Sequence, residues 1–181
     1  MTVERKLKES ALAVGIDLGG TQVRAALVGS DGSVRARAAA RTDVVGGPDA
    51  VILQMQDLFS QVTDGVDSAS LAGVGVSAPG PLDGEAGVIL GIPTLPGWVD
   101  IPIVARLRAV LQLPVNLEND GVAAAIGEWR FGAGRGLRDF VYVTISTGIG
   151  GGVIAACSHW RLRNSPRMRA IRIASSNGLV R

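Results

Sequence analysis

Val14-Gly15-Ile16-Asp17-Leu18-Gly19-Gly20-Thr21 is the stretch whose reading decides the fold. The apolar run Ala11–Ile16 reads as a buried strand that ends in an acid, two glycines and a hydroxyl. Val23–Val28 is strand-like again, so Gly-Gly-Thr joins two strands in a tight hairpin. Glycine has no Cβ and tolerates positive φ, which lets such a turn approach a ligand closely. Its N–H groups form a concavity suited to phosphate oxygens. An acid beside that anion makes sense mainly with a divalent cation between them. The plain alternative is an ordinary hairpin with a surface acid at Asp17.

Outward from this hairpin, Val34–Ala39 reads as a third strand, joined to the second through Ser30-Asp31-Gly32-Ser33. Asp-Gly is among the strongest short hairpin signals. Pro48 is tolerated in a first helical turn. Val51, Ile52, Met55, Leu58, Phe59 and Val62 recur at helical spacing and predict an amphipathic helix over 48–62. After a polar connector, Leu71–Val76 is a strand running into Ser77-Ala78-Pro79-Gly80-Pro81. The order β-β-β-α-β predicts a mixed sheet with helical cover, an α/β fold. Val88–Leu90 reads as a short strand, and Trp98 as a plug at the domain edge, since tryptophan is usually largely buried. A second helix is predicted over 102–112, with Asp100 as its N-cap.

Val115–Leu117 is a short strand ending in Glu118-Asn119-Asp120, followed by an alanine-rich helix over Val122–Trp129. A strand that delivers an acid to a helix N-terminus places it on the lip of a parallel sheet, where α/β ligands bind. Asp120 reads either as an N-cap or as a general base that takes a proton from a substrate hydroxyl. Phe140–Ile145 then runs into Ser146-Thr147-Gly148-Ile149-Gly150-Gly151-Gly152. This second strand, glycine-rich turn and strand is built like the first, and two of them suggest two halves closing on one polyphosphate. No Gly-Lys-Ser/Thr follows, so neither is a Walker loop. A strand rather than a helix follows Gly20, which excludes a Rossmann fingerprint.

The 181 residues give one large domain or two small ones, 47% hydrophobic and 19% charged. No stretch approaches the ~18 apolar residues of a membrane span, and Met1–Ser10 is no signal peptide. The single Cys157 cannot close an internal disulfide, which fits a reducing cytoplasm. The net charge of +2 is uneven: Cys157–Arg181 holds six arginines and no acid. The basic pI of about 9.2 is therefore a property of the tail and argues little for nucleic-acid binding by the folded part.

Asp17-Leu18-Gly19-Gly20-Thr21, Ala78-Pro79-Gly80-Pro81, Leu95-Pro96-Gly97-Trp98, Glu118-Asn119-Asp120 and Ser146–Gly152 stand in the order and spacing of the ROK (repressor, ORF, kinase) sugar kinases. The resemblance covers about residues 11–155. It implies an actin/hexokinase-like ATPase (ribonuclease H-like) fold: a complete N-terminal domain over 11–118 and the start of a C-terminal domain over 119–156. Residues 1–10 are then an extension, and 157–181 a basic, disordered tail outside the family pattern. The implied activity is ATP-dependent phosphorylation of a hexose or N-acetylhexosamine, with Mg²⁺, in the cytoplasm, and a possible homodimer. By the resemblance Asp120 is the catalytic base and Asn119 and Gly80 lie on the sugar. Gly19, Gly20 and Thr21 approach the ATP phosphates, and Asp17 acts on Mg²⁺ through water. Thr147, Gly148, Gly150 and Gly151 belong to the second phosphate loop.

Three departures stand out. Thr94 and Val122 occupy positions where the family usually has asparagine; the first bears on sugar preference, the second on helix packing. Past Ala156 the family pattern stops, and with one Cys, one His and no acid there the family's zinc site cannot be built. A frameshifted or truncated reading frame, a basic tail on nucleic acid and a solvated end are the competing accounts of 157–181. The kinase reading therefore predicts weak or absent activity in this chain, and the alternatives are a non-catalytic sugar-binding fragment or a relative of the ROK regulators.

Overall fold

The structure, a computed structural model, describes residues 11–145, 149–155 and 170–171. By its internal contacts the chain divides into two compact units, Met1–Asn119 and Asp120–Arg181.

The first unit is built on a five-stranded mixed sheet. Strands β1 (Leu12–Leu18), β2 (Gln22–Gly29) and β3 (Val34–Arg41) run antiparallel as a meander, followed by helix α1 (Gly47–Val62) and strand β4 (Leu71–Ala78). Three short strands come next: β5 (Leu82–Asp83), β6 (Val88–Gly91) and β7 (Val99–Ile101). Helix α2 (Ile103–Leu111) and strand β8 (Val115–Asn119) complete the unit. The sheet order is β3-β2-β1-β4-β8, with β4 parallel to both of its neighbours. This is the mixed sheet that the β-β-β-α-β order predicts.

Alternation decides which face is buried. Val14, Ile16 and Leu18 of β1, Val23, Ala25 and Leu27 of β2, and Val74 and Val76 of β4 enter one core. The helices close it with Val51, Met55 and Leu58 from α1 and Ile103 and Leu107 from α2, at the spacing the sequence predicts. Each such side chain, fully buried, contributes about 1.5–3 kcal/mol. Edge strand β3 sends Ala36, Ala38 and Ala40 toward this core and exposes Arg35, Arg37 and Arg41, charges that discourage pairing with another edge. An ion pair between Arg106 of α2 and Asp49 of α1 ties the two helices together.

The β5-β6-β7 ribbon carries Ile89, and the loop after it Ile92, Leu95 and Trp98, into the same core. Trp98 is 1% exposed, so it is a buried core side chain, not merely an edge plug. Asp100 is not the N-cap of α2. It lies within β7 at φ 52°, and Pro102 stands at the cap position without a side-chain bond. The Val99–Ile101 pairing with β6 takes Asp100 into the ribbon before the helix begins.

The second unit has helix α3 (Asp120–Phe131) and strands β9 (Phe140–Ile145), β10 (Ile149–Ile154) and β11 (Ala170–Ile171), in the sheet order β11-β10-β9. The pair Ala170–Ile171, within the tail, runs antiparallel to β10; the extension at 1–10 and the rest of 157–181 lie outside the described residues. The indole of Trp129 donates to the Leu137 carbonyl at 2.7 Å and fastens the loop after α3.

Gly87 and Gly65 separate two effects. Both sit in the left-handed region, at φ +73° and +70°, but a Cβ on Gly87 would meet Val104 Cβ at 2.5 Å, whereas one on Gly65 meets nothing within 4 Å. Gly65→Ala is expected to lose about 1 kcal/mol from backbone strain alone. Gly87→Ala is expected to lose that and a further ~1–3 kcal/mol from overpacking. Urea unfolding of the two variants, at unchanged m-value, checks the difference.

Candidate active site

Register brings the first unit's candidate residues to one edge of its sheet. Asp17 pairs with Ser77 across β1 and β4, and Ser77 pairs with Glu118 and Ala78 with Asn119 across β4 and β8. The carboxyl ends of three parallel strands therefore present Asp17, Ser77 and Glu118 in one row, with Asn119 a residue further on beside Ala78, at the edge where α/β sheets hold ligands.

Asp17 lies inside β1, one residue before its end, because Leu18 is buried and still paired with Val23. Ser77 Oγ donates to Asp17 Oδ1 at 2.7 Å, and Arg24 Nη1 approaches Oδ2 at 3.4 Å. Both carboxylate oxygens are thus oriented by protein groups while the side chain stays 44% exposed. A half-open carboxylate of this kind fits a hydrated divalent cation, which keeps most of its own waters.

The glycine turn follows. Gly19 N–H donates to the Gln22 carbonyl at 2.9 Å, Thr42 Oγ1 donates to the Gly19 carbonyl at 2.7 Å, and Thr42 N–H donates to the Thr21 carbonyl at 3.0 Å. The glycines are needed for room and not for positive φ, since neither Gly19 nor Gly20 is in the left-handed region. A Cβ on Gly19 would stand 2.9 Å from the Gln22 carbonyl oxygen, and one on Gly20 would stand 3.0 Å from Thr94 Oγ1. Thr94, read from sequence as bearing on sugar preference, thus lies against the turn. Thr21 is exposed at its tip.

On the other side of the same edge, an ideal Cβ on Gly80 would lie 3.6 Å from Asn119 Nδ2. The two residues that the family resemblance assigns to the sugar are therefore neighbours. Glu118 Oε1 accepts from the Asn119 N–H at 2.9 Å and turns that side chain back along the strand end.

Asp120, the next residue, belongs to the second unit. It opens α3, is exposed, and its Oδ1 accepts from the Gly121 N–H at 2.7 Å. Gly150 and Gly151 lie within β10 and not in a loop. A Cβ on Gly151 would come within 2.3 Å of the Tyr142 carbonyl, and one on neighbouring Gly152 within 2.7 Å of Ala125 Cβ, so these glycines let β9 and α3 pack on the strand. Val122 is 2% exposed, with its Cα 3.2 Å from that same Gly152 position, which is a packing role. Thr147 and Gly148 lie outside the described residues. No group of three or more His, Cys, Asp or Glu forms a metal cluster among the described residues.

Sequence reasoning passed over Ser77, Thr42 and Arg24. Ser77 was findable: it ends the apolar run of β4 as Asp17 ends that of β1, and parallel pairing puts strand ends together. Thr42 carried no signal, because its partner is a carbonyl 23 residues away.

This is the mixed-sheet α/β architecture of the actin/hexokinase-like ATPases, with glycine turns at the strand ends. The ROK family pattern matches residues 13–164, and the chain belongs to the ROK family. It is 38% identical over 141 residues to a glucokinase of Thermotoga maritima, covering 78% of this chain and 44% of that protein. It is 33% identical over 144 residues to an N-acetylmannosamine kinase of Escherichia coli, covering 80% and 47%. A ROK family glucokinase from Streptomyces griseus, solved with glucose and AMPPNP, superposes with a TM-score of 0.72 at 32% identity over 80% of this chain and 45% of that one. The chain thus spans less than half the length of each of these three relatives. No helix among the described residues is long and apolar enough to cross a membrane.

Ser77→Ala removes the hydroxyl that holds Asp17. Its loss is expected to lower stability by about 1 kcal/mol, because the acceptor is charged but half-exposed. The urea midpoint against that of the unsubstituted chain measures it.

Proposed function

We propose that this chain carries the sugar and first phosphate half-sites of an ATP-dependent ROK sugar kinase, acting on a hydroxyl of a hexose or N-acetylhexosamine. The observation that carries the reading is the convergence of Asp17, Ser77, Gly80 and Asn119 at the carboxyl ends of β1, β4 and β8, beside a glycine turn with no room for a Cβ. Its support from relatives is the sugar-kinase identity of the proteins it resembles and the glucose and nucleotide analogue bound to one of them.

In this reading Asn119 and the backbone at Gly80 hold the sugar. Asp120 takes the proton from the sugar hydroxyl as its oxygen forms a bond to the γ-phosphorus and the bond from that phosphorus to the bridging oxygen breaks, releasing ADP. Gly19, Gly20 and Thr21 lie along the phosphates, with Thr147, Gly148, Gly150 and Gly151 assigned to the second phosphate segment. A Mg²⁺ ion, when bound, neutralises phosphate charge, and Asp17 is the residue that would hold it through water. Because phosphoryl transfer depends on positioning and on enclosure of the phosphates, turnover by these residues alone is expected to be slow. Cytoplasmic location and a homodimer belong to the same proposal.

A second reading, sugar binding without turnover, is favoured by the Gly80–Asn119 approach, which is complete within the first unit.

A coupled ADP-release assay with Mg²⁺ and a panel of hexoses and N-acetylhexosamines, beside calorimetric sugar titration, decides between them. Sugar-dependent release is expected, reduced about 10²–10⁴-fold by Asp120→Asn with sugar affinity retained. Sugar binding without release selects the second reading. Neither binding nor release overturns both.

A further inference from the structure

Thr42 follows β3 and precedes α1, far in sequence from the turn it touches. It is a buried polar residue, 8% exposed, and all of its bonding is directed at Gly19–Thr21 or the residue after next. Its hydroxyl donates to the Gly19 carbonyl at 2.7 Å and its N–H to the Thr21 carbonyl at 3.0 Å, while its own carbonyl accepts from the Val44 N–H. Two of the turn's carbonyls are thereby drawn to one side.

Peptide geometry gives this a consequence. The only cis bond among the described residues is Gly80–Pro81, so the Gly19–Gly20 peptide is trans. In a trans peptide the C=O and the following N–H point in opposite directions from one rigid plane. With its oxygen held by Thr42, that plane directs the Gly20 N–H away from Thr42. This N–H has no hydrogen-bond partner among the described residues. The ends of the turn are joined by the bond from Gly19 N–H to the Gln22 carbonyl, without the reverse bond from Gln22 N–H, and the Gly19 carbonyl accepts from the Thr42 hydroxyl instead. An anion approaching the turn thus meets a donor, with the repelling carbonyl dipoles turned aside.

We propose that Thr42 is a positioning residue for phosphate binding: its buried hydroxyl fixes the Gly19–Gly20 peptide so that the Gly20 N–H faces a phosphate oxygen. The proposal rests on the phosphate reading of the turn. It extends that reading to a residue outside every glycine motif, one that acts through the backbone and touches no ligand.

The test follows the amide signals of Gly20 and Thr21 in the ¹⁵N-labelled chain during titration with tripolyphosphate and Mg²⁺. Four proteins are compared. In the unsubstituted chain both signals move and saturate together. Thr42→Val keeps the shape but loses the donor, and its affinity falls about tenfold or more. Thr42→Ser restores the donor and stays within about threefold of the unsubstituted chain. Thr63→Val is the matched control, since the Thr63 hydroxyl makes a similar bond to the Phe59 carbonyl at 2.8 Å at the end of α1; its affinity is unchanged. Thr42→Ala replaces Thr42→Val should the latter not fold. Signals that do not move in the unsubstituted chain overturn the phosphate reading, and this inference with it. A saturating unsubstituted chain overturns this inference alone in three cases: if Thr42→Val binds as tightly, if Thr42→Ser binds as weakly as Thr42→Val, or if Thr63→Val weakens binding as much.

Discussion

The parallel pairing of β4 with β1 and β8 is the constraint on which the site depends. Ladder hydrogen bonds fix register to the residue, and a slip of one would turn every side chain to the other face. With Val74, Val76 and Ala78 buried on β4, slipping is prevented by the loss of several core side chains at once. The same register sets Asp17 opposite Ser77 and Ser77 opposite Glu118. Hydrophobic burial on one side of the sheet thus determines which polar groups meet at its end. No polar interaction at the edge has to be strong, because the core has already positioned the strands.

The two glycine-rich hairpins look alike in sequence and differ in what the glycines are for. At the first, Gly19 and Gly20 lie in the turn, where a Cβ would strike the Gln22 carbonyl and the Thr94 hydroxyl. At the second, Gly151 and Gly152 lie in β10, where a Cβ would strike Tyr142 of the neighbouring strand or Ala125 of α3. In one case the missing side chain leaves room inside the turn itself; in the other it makes room for the neighbouring strand and helix. A pattern of residue types does not distinguish these, because both demand only that nothing be attached to Cα.

What was legible was what local period determines. The apolar runs of β1, β2 and β4 and the helical spacing of Val51, Met55 and Leu58 are properties of a few neighbouring residues, and they located these strands and α1. Asp100 was misread because an acid shortly before an apolar helix resembles a cap, whereas pairing of Val99 and Ile101 with β6, a tertiary fact, holds it in a strand. Ser77 and Thr42 act across 60 and 23 residues of sequence, where no local signal exists. The strand ends that carry Asp17 and Asn119 were visible; the groups that orient them were not.

The second unit differs in how its sheet is covered. Within β9 the side chains alternate: Phe140, Tyr142 and Thr144 are half-buried, whereas Val141, Val143 and Ile145 are 62%, 58% and 78% exposed. Three apolar side chains on one strand therefore contribute little burial, and β9 pairs with β10 alone among the described residues. Phe140–Ile145 also contains no charge and no proline, the usual protections of an exposed edge. The first unit, by contrast, encloses its core between one sheet face and two helices and guards edge strand β3 with arginines. Cooperative stability follows buried apolar contact, and among the described residues that contact is gathered in the first unit. The first unit's core holds Asp17, Ser77 and Asn119 in fixed register, and Asp120 follows as the first residue of α3. In the proposed reading the proton acceptor Asp120 therefore stands one peptide bond from Asn119, the residue proposed to hold the sugar.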